Sequence, residues 1–262
     1  MGHYGLALGA LIIASISASS MAAEVKVLSA VGMRQVMFEL APKFERATGH
    51  TLKTTFDATG LLAKRIAAGE QVDVAMLNQS AMEALERDRH LLAGSVKPIA
   101  RSVAAVAVRK GEPKPDISSP EAFKRLLLSA KSISRPSPAV GGSSGDHIVK
   151  VIERLGIAAE VDAKTVIATV GQPGQAGMSP GEAVANGRAE VALHQLQELL
   201  AVPGIDIVGE FPGELQGSFV FSAAIGASAR EPEAGKALIA FLRTPEASGV
   251  IRAKGMAPES AR

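Results

Sequence analysis

Short β-rich runs separated by amphipathic segments of helical length recur along almost the whole chain, and this alternation limits its fold more than any other feature. Residues 25–30 (VKVLSA) read as a strand. Residues 32–48 carry apolar side chains at helical spacing through Val36, Met37, Leu40 and Phe44, and Gly49 supplies a C-terminal stop. The pattern continues as strand 51–57, helix 61–68, strand 72–77 and helix 80–91. A second stretch offers helix 119–129, strand 132–135, helix 141–155, strand 165–170, helix 180–186 and strand 190–194. Helices 233–242 and 245–254 close the chain. Strands joined by helices of this length predict right-handed βαβ units on a parallel sheet.

Two longer apolar β-runs, 99–109 (IARSVAAVAVR) and 218–226 (SFVFSAAIG), bracket the middle region. They predict a chain that crosses from one α/β lobe to another and returns. Residues 23–103 with 220–262 would form lobe 1, and 104–219 would form lobe 2. Such a plan leaves a cleft faced by the C-terminal ends of strands. The alternative is a single open sheet without a hinge.

Composition narrows the functional classes. The 262 residues can bury a full core. They include 28 Lys and Arg against 26 Asp and Glu, and aromatics make up 3%. With no dense basic run, a stacking groove for nucleic acid is not expected. Cysteine is absent, which removes disulfides, thiol catalysis and Cys-ligated metal centres. HExxH does not occur, and the glycines at 141, 142 and 145 are not followed by GK[ST]. Residues 5–16 form an apolar block followed by Ser20-Met21-Ala22, which fits a secretory leader over residues 1–22. Export to the periplasm is expected, with an uncleaved anchor as the alternative. The remainder reads as a monomeric chain without stable membrane insertion.

Several pieces, taken in order, resemble the molybdate-type branch of bacterial periplasmic solute-binding proteins. They are SAVGMRQVMFELAPKFERATG, FDATGLLAKRIAAGEQVDVAMLNQ, GGSSGDHIVKVIERLGI, SPGEAVANGRAEVAL and AGKALIAFLRTPEASGVIRAKGM. Ala67-Ala68-Gly69-Glu70-Gln71-Val72-Asp73-Val74 has the AxGxxxDV form of that branch. The resemblance implies a type II periplasmic-binding-protein fold, with two α/β lobes joined by two crossover strands and ligand held in the cleft between them.

The departures from the molybdate pattern carry chemical information. Binders of that branch surround a compact oxyanion with hydroxyls and backbone amides. This chain instead has Gly32-Met33-Arg34 at the first helix start, where a Ser is expected, and His194-Gln195 at the position of a family Tyr. His147 follows Ser143-Ser144-Gly145. A guanidinium suits a carboxylate, and an imidazole can move a proton near neutral pH. These departures resemble an exported isomerase branch of the same fold group. That resemblance implies a tricarboxylic acid whose double bond moves by a 1,3-proton shift, with no cofactor and no metal.

Such chemistry needs a base and fixed positive potential. The helix starts at 32–34, Thr59-Gly60, Gln79-Ser80 and 143–145 are candidates for the potential, with Arg34 and Arg101 as carboxylate clamps. His147 is favoured as base, because a helix start favours the neutral imidazole. His194 is expected to face the cleft as a hydrogen-bonding or catalytic group. Met33, Ser143, Ser144 and Gln195 complete the expected site, although Ser143, Ser144 and Thr59 equally suit helix caps, and Arg34 equally suits an exposed helix face. Asp57 and Asp73 read as strand-end groups, and His50 and His90 as solvated. Residues 171–175 read as a loop over the cleft bearing Gln172. A non-catalytic receptor serving an ABC permease remains the second reading, for an organic acid or, less in keeping with Arg34 and His194, for molybdate.

Overall fold

The computed structural model describes residues 22–140, 142–168 and 177–259. The expected leader, Ala22 apart, and the loop with Gln172 lie outside them. β1 (Glu24–Ala30) buries Val25, Val27 and Leu28 completely and passes through a 3-10 turn at Val31–Met33 into α1 (Arg34–Thr48). α1 buries Val36, Met37, Leu40 and Phe44 and stops where Gly49 adopts φ 77°. β2 (Thr51–Asp57), α2 (Thr59–Ala67), β3 (Val74–Asn78) and α3 (Gln79–Arg87) follow, and β1 pairs in parallel with both β2 and β3. Each of these strands therefore ends at the same edge, where the next helix starts. α3 stops short of the expected residue 91. Arg89 takes φ 63°, and the His90 N–H turns back to the Leu85 carbonyl at 2.8 Å.

β4 (Lys97–Arg109) leads into a second α/β unit. Its elements are α4 (Pro120–Ser129), β5 (Ile133–Arg135), α5 (Ser143–Arg154), α6 (Ala158–Asp162), β6 (Thr165–Ile167), α7 (Pro180–Ala185), β7 (Val191–Gln195), α8 (Leu196–Leu200) and β8 (Ile205–Glu210). β9 (Ser218–Ile225) returns to the first unit, which α9 (Pro232–Phe241), α10 (Pro245–Ala253) and β10 (Ala257–Pro258) complete. The strand order is β2-β1-β3-β9-β4-β7-β5-β6, with β8 and β10 also pairing with β4.

The sheet is mixed rather than purely parallel. Parallel pairs lie within each lobe, while β4 and β9 run antiparallel to each other because one carries the chain out and the other brings it back. β4 pairs with β9 over Lys97–Val103 and with β7 over Ala104–Val108, so its partner changes between Val103 and Ala104. β8 carries no sequence expectation. Its residues are half-buried apart from exposed Glu210, which leaves no clear alternation to read.

Polar groups fasten the first lobe. The buried Asp73 carboxylate accepts the backbone N–H groups of Lys26, Arg230 and Glu231 at 2.8, 2.7 and 3.1 Å, joining β1 to the segment before α9. His50 is not solvated as expected. It is 8% exposed, stacks on Phe44, and its Nδ1 accepts the Ala23 N–H at 3.1 Å, because the chain doubles back from α1 beside the start of β1.

Glu70 accepts Arg65 through Nε and Nη2 at 2.6 and 2.8 Å, and Lys26 adds a bond at 3.0 Å. The Arg65 bonds above all hold the Glu70 carboxyl at about 2, below its ordinary 4.5. A carboxyl more acidic in the folded chain than in the unfolded one stabilises the fold above pH 4.5 and loses that effect as pH falls towards 2. Glu70→Gln is expected to be less stable at pH 7 and to lose less further stability than the parent across that window. Denaturant unfolding at a series of pH values checks this, and parallel curves would remove Glu70 from the account.

Candidate functional site

A cavity of about 480 Å³ opens between the lobes. The first lobe contributes Thr59 and Gly60 from the start of α2, and Asn78, Ser80 and Ala81 from the β3–α3 junction. The second contributes Ser143, Asp146, His147 and Lys150 from α5. Ser218 and Phe219, at the start of β9, form the wall beside the crossover. α2 also meets the turn Pro138–Val140 of the second lobe.

Three helices begin at this cavity. Asn78 caps α3 by accepting the Ala81 N–H at 2.9 Å, whereas α2 and α5 have no side-chain cap. Uncapped first turns present unpaired N–H groups and the positive end of the helix dipole, which together favour an anion. Lys150 adds a cation and Asp146, in the first turn of the same helix, a carboxylate; neither makes an ion pair among the described residues, so the uncapped helix starts supply the positive potential that Asp146 does not offset. The remaining lining is rich in hydroxyls, from Thr59, Ser80, Ser143 and Ser218.

His147 is held on three sides. Its ring lies edge-on to Phe219 at 5.6 Å and tilted to Phe211 at 6.3 Å. Its Nε2 sits 3.0 Å from the Leu215 carbonyl oxygen. A carbonyl only accepts, so Nε2 carries the proton, and in the neutral ring Nδ1 keeps the lone pair. Leu215 belongs to the return connection between lobes, which ties the imidazole to the hinge. Gly217 leaves room for it: a Cβ there would lie 2.7 Å from Cδ2 and 2.8 Å from Nε2 of His147.

Of the expected site residues, the structure brings Thr59, Gly60, Ser80, Ser143 and His147 together. Met33 is fully buried, so its apolar side chain belongs to the core rather than to a polar pocket. The half-buried Arg34 lies over the Phe56 ring at 5.5 Å and does not line the cavity. Arg101 is bound to Glu259 at 2.6 Å and reaches the cavity only through its bond to Ser218 at 3.0 Å. Gln79 bonds Ser222 and Glu83, and Ser144 is buried beneath the start of α5.

His194 is also off the cavity. It is 8% exposed, its Nε2 is 3.3 Å from Glu198, and its buried Nδ1 has no partner among the described residues. Gln195 is buried and accepts Gln197 Nε2 at 3.1 Å. Gln197 had no sequence signal beyond its place after a strand. Its amide crosses from α8 to the Gly32 carbonyl of the first lobe at 3.2 Å and accepts the Ser102 hydroxyl of β4. Lys150 was legible as the residue one helical turn beyond His147. Among the described residues, no three His, Cys, Asp or Glu side chains are grouped to hold a metal ion.

This architecture and the chain's relatives agree on its class. The bacterial extracellular solute-binding protein family matches residues 25–257, and the chain belongs to that family. It is 34% identical to the Pseudomonas sp. protein named aconitate isomerase, over 98% of this chain and 97% of that one. It is 29% identical to the molybdate-binding protein ModA of Azotobacter vinelandii, over 95% of each. The solved periplasmic molybdate-binding protein of Azotobacter vinelandii superposes with a TM-score of 0.69 at 22% identity, covering 88% of this chain and 98% of that one. The fold is therefore of the type II periplasmic-binding-protein kind, two α/β lobes joined by crossover strands with a cleft between. Among the described residues no helix is long and apolar enough to cross a membrane.

Gly217→Ala is expected to keep the fold and displace the His147 ring, breaking its bond to Leu215. Long-range ¹H–¹⁵N correlation spectra report the imidazole tautomer directly. A ring that stays an Nε2–H tautomer at unchanged shift would contradict the assigned packing.

Proposed function

We propose that the protein is an isomerase that interconverts trans-aconitate and cis-aconitate by a 1,3-proton shift in the inter-lobe cavity. The observation that carries this reading is the similarity, along nearly the whole chain, to a protein named aconitate isomerase. The cavity supplies chemistry that suits the reaction.

Aconitate carries a methylene flanked by a carboxylate and the double bond. His147 Nδ1 takes one methylene proton, while Nε2–H stays on the Leu215 carbonyl and holds the ring in place. The electron pair left behind spreads over the three-carbon allylic unit and its carboxylates. Lys150 and the uncapped starts of α2 and α5 offset that charge. A proton returned to the other end of the allylic unit moves the double bond. The rotamer about the bond from the methylene to the central carbon when the proton leaves sets the geometry of the new double bond, so the shift itself exchanges the trans and cis forms. Atoms and electrons balance without an oxidant or reductant.

The same reading includes cleavage of the leader at residues 1–22, a periplasmic location and a monomeric state. It also divides the chain at 103/104 and 219/220, a division supported by the change of β4 partner after Val103. A second reading, a non-catalytic receptor that delivers an oxyanion or organic acid to an ABC permease, is favoured by the 29% identity to a molybdate-binding protein and by the hydroxyl-rich lining.

Purified protein without added cofactor is expected to interconvert the two aconitates, followed by proton NMR. His147→Ala is expected to lower kcat by roughly 10²–10⁴-fold, the usual contribution of a general base, while substrate binding persists. Tight binding of molybdate with no conversion of aconitate would select the receptor instead.

A further inference from the structure

Asn78 ends β3, caps α3 and lines the inter-lobe cavity. Its Oδ1 accepts the Ala81 N–H at 2.9 Å and the Ser80 hydroxyl at 3.2 Å. A backbone N–H only donates, so the carboxamide is held with its oxygen on the helix and its Nδ2 turned away from it. Capping accounts for the oxygen and leaves the nitrogen unexplained.

Asn, Asp and Ser cap helices about equally well, and of the three only Asn brings two further N–H donors. Asn78 is 7% exposed, and its cross-strand neighbour on β9 is Phe221, whose side chain offers no acceptor. Among the described residues Nδ2 has no hydrogen-bond partner. It is not sealed off from solvent as the unpaired Nδ1 of His194 is, because the open part of Asn78 faces the cavity. Leaving a donor unpaired on so buried a side chain is costly. A ligand in the cavity would supply the missing acceptor.

The surroundings give that acceptor a sign. α2 starts uncapped at Thr59 and Gly60 in the same lobe, α5 starts uncapped across the cavity, and Lys150 adds a cation against the one carboxylate, Asp146. Ser218 has the same polarity as Asn78: Arg101 Nη1 donates to its Oγ at 3.0 Å, which leaves the hydroxyl proton to donate. Donors whose acceptor atoms are already engaged suit an ionised carboxylate, which only accepts.

We propose that Asn78 binds a substrate carboxylate through Nδ2 and selects ionised polyacids, while its oxygen holds the start of α3. That the polyacid is a tricarboxylate rests on the isomerase reading. Tricarballylate has the three carboxylates of aconitate and no double bond, so its calorimetric titration into the full chain reports binding apart from turnover. The parent is expected to show one saturable site. Asn78→Ser keeps a capping oxygen and loses both donors, and is expected to bind about tenfold or more weakly, as for loss of a hydrogen bond to a charged group. Asn78→Asp also keeps the cap but sets a carboxylate against the ligand, and should bind more weakly still. Denaturant unfolding of both variants should keep the parent midpoint, which a purely capping role would equally predict, so the loss of affinity is the decisive reading. The proposal is overturned if the parent shows no saturable binding, or if either variant binds tricarballylate as tightly as the parent. Aconitate turnover is scored separately by proton NMR: a parent that binds without converting counts against the isomerase reading, not against Asn78 as a carboxylate donor.

Discussion

The geometry of the cleft depends on a strand that belongs to both lobes. β4 is paired with β9 up to Val103 and with β7 from Ala104 onward, so one continuous backbone positions the two halves. At that changeover Ser102 donates to Gln197, whose amide reaches on to the Gly32 carbonyl. These groups are buried, and each satisfies polar atoms that water does not reach. Breaking the bridge would leave several of them unpaired at once, a cost that resists casual sliding of one lobe over the other. The lobes are thus hinged at a strand and tethered by one amide.

From that frame the electrostatics of the cavity follow. Parallel strands in each lobe end towards the cleft, and the helices that begin there direct their positive ends into it. Two of those starts have no side-chain cap, which leaves their N–H groups for a ligand. His147 rises from one such start, yet its tautomer is set by Leu215 on the return connection. The group best placed to move a proton is therefore fastened to the element about which the lobes would turn.

Much of this frame is legible in the chain itself, because strand and helix periods are local properties. The spacing of Val36, Met37, Leu40 and Phe44 marks the buried face of α1, and the two long β-runs mark the crossovers. β8 is not legible, since IDIVGE is half-buried almost throughout and has no clean alternation. The end of α3 depends on a left-handed Arg89, which no helical pattern announces. For the cavity, helix starts after strands point to Thr59, Gly60, Ser143 and His147. Sequence does not say which way a charged side chain turns. Arg34 settles over Phe56, and Arg101 finds Glu259 158 positions along the chain. Lys150 stands at the cavity through helical geometry alone, three residues after His147.

The central claim is that His147, braced by the hinge, moves a proton on a polyacid held between the lobes. Deuterium exchange into the methylene of trans-aconitate in D₂O, followed by NMR at substrate saturation, addresses that step without depending on product release. The parent protein should label the methylene as it isomerises, and His147→Gln should bind the acid yet leave it unlabelled. Binding by the parent with neither conversion nor label entering the carbon skeleton, or equal conversion and labelling by both proteins, would contradict the account.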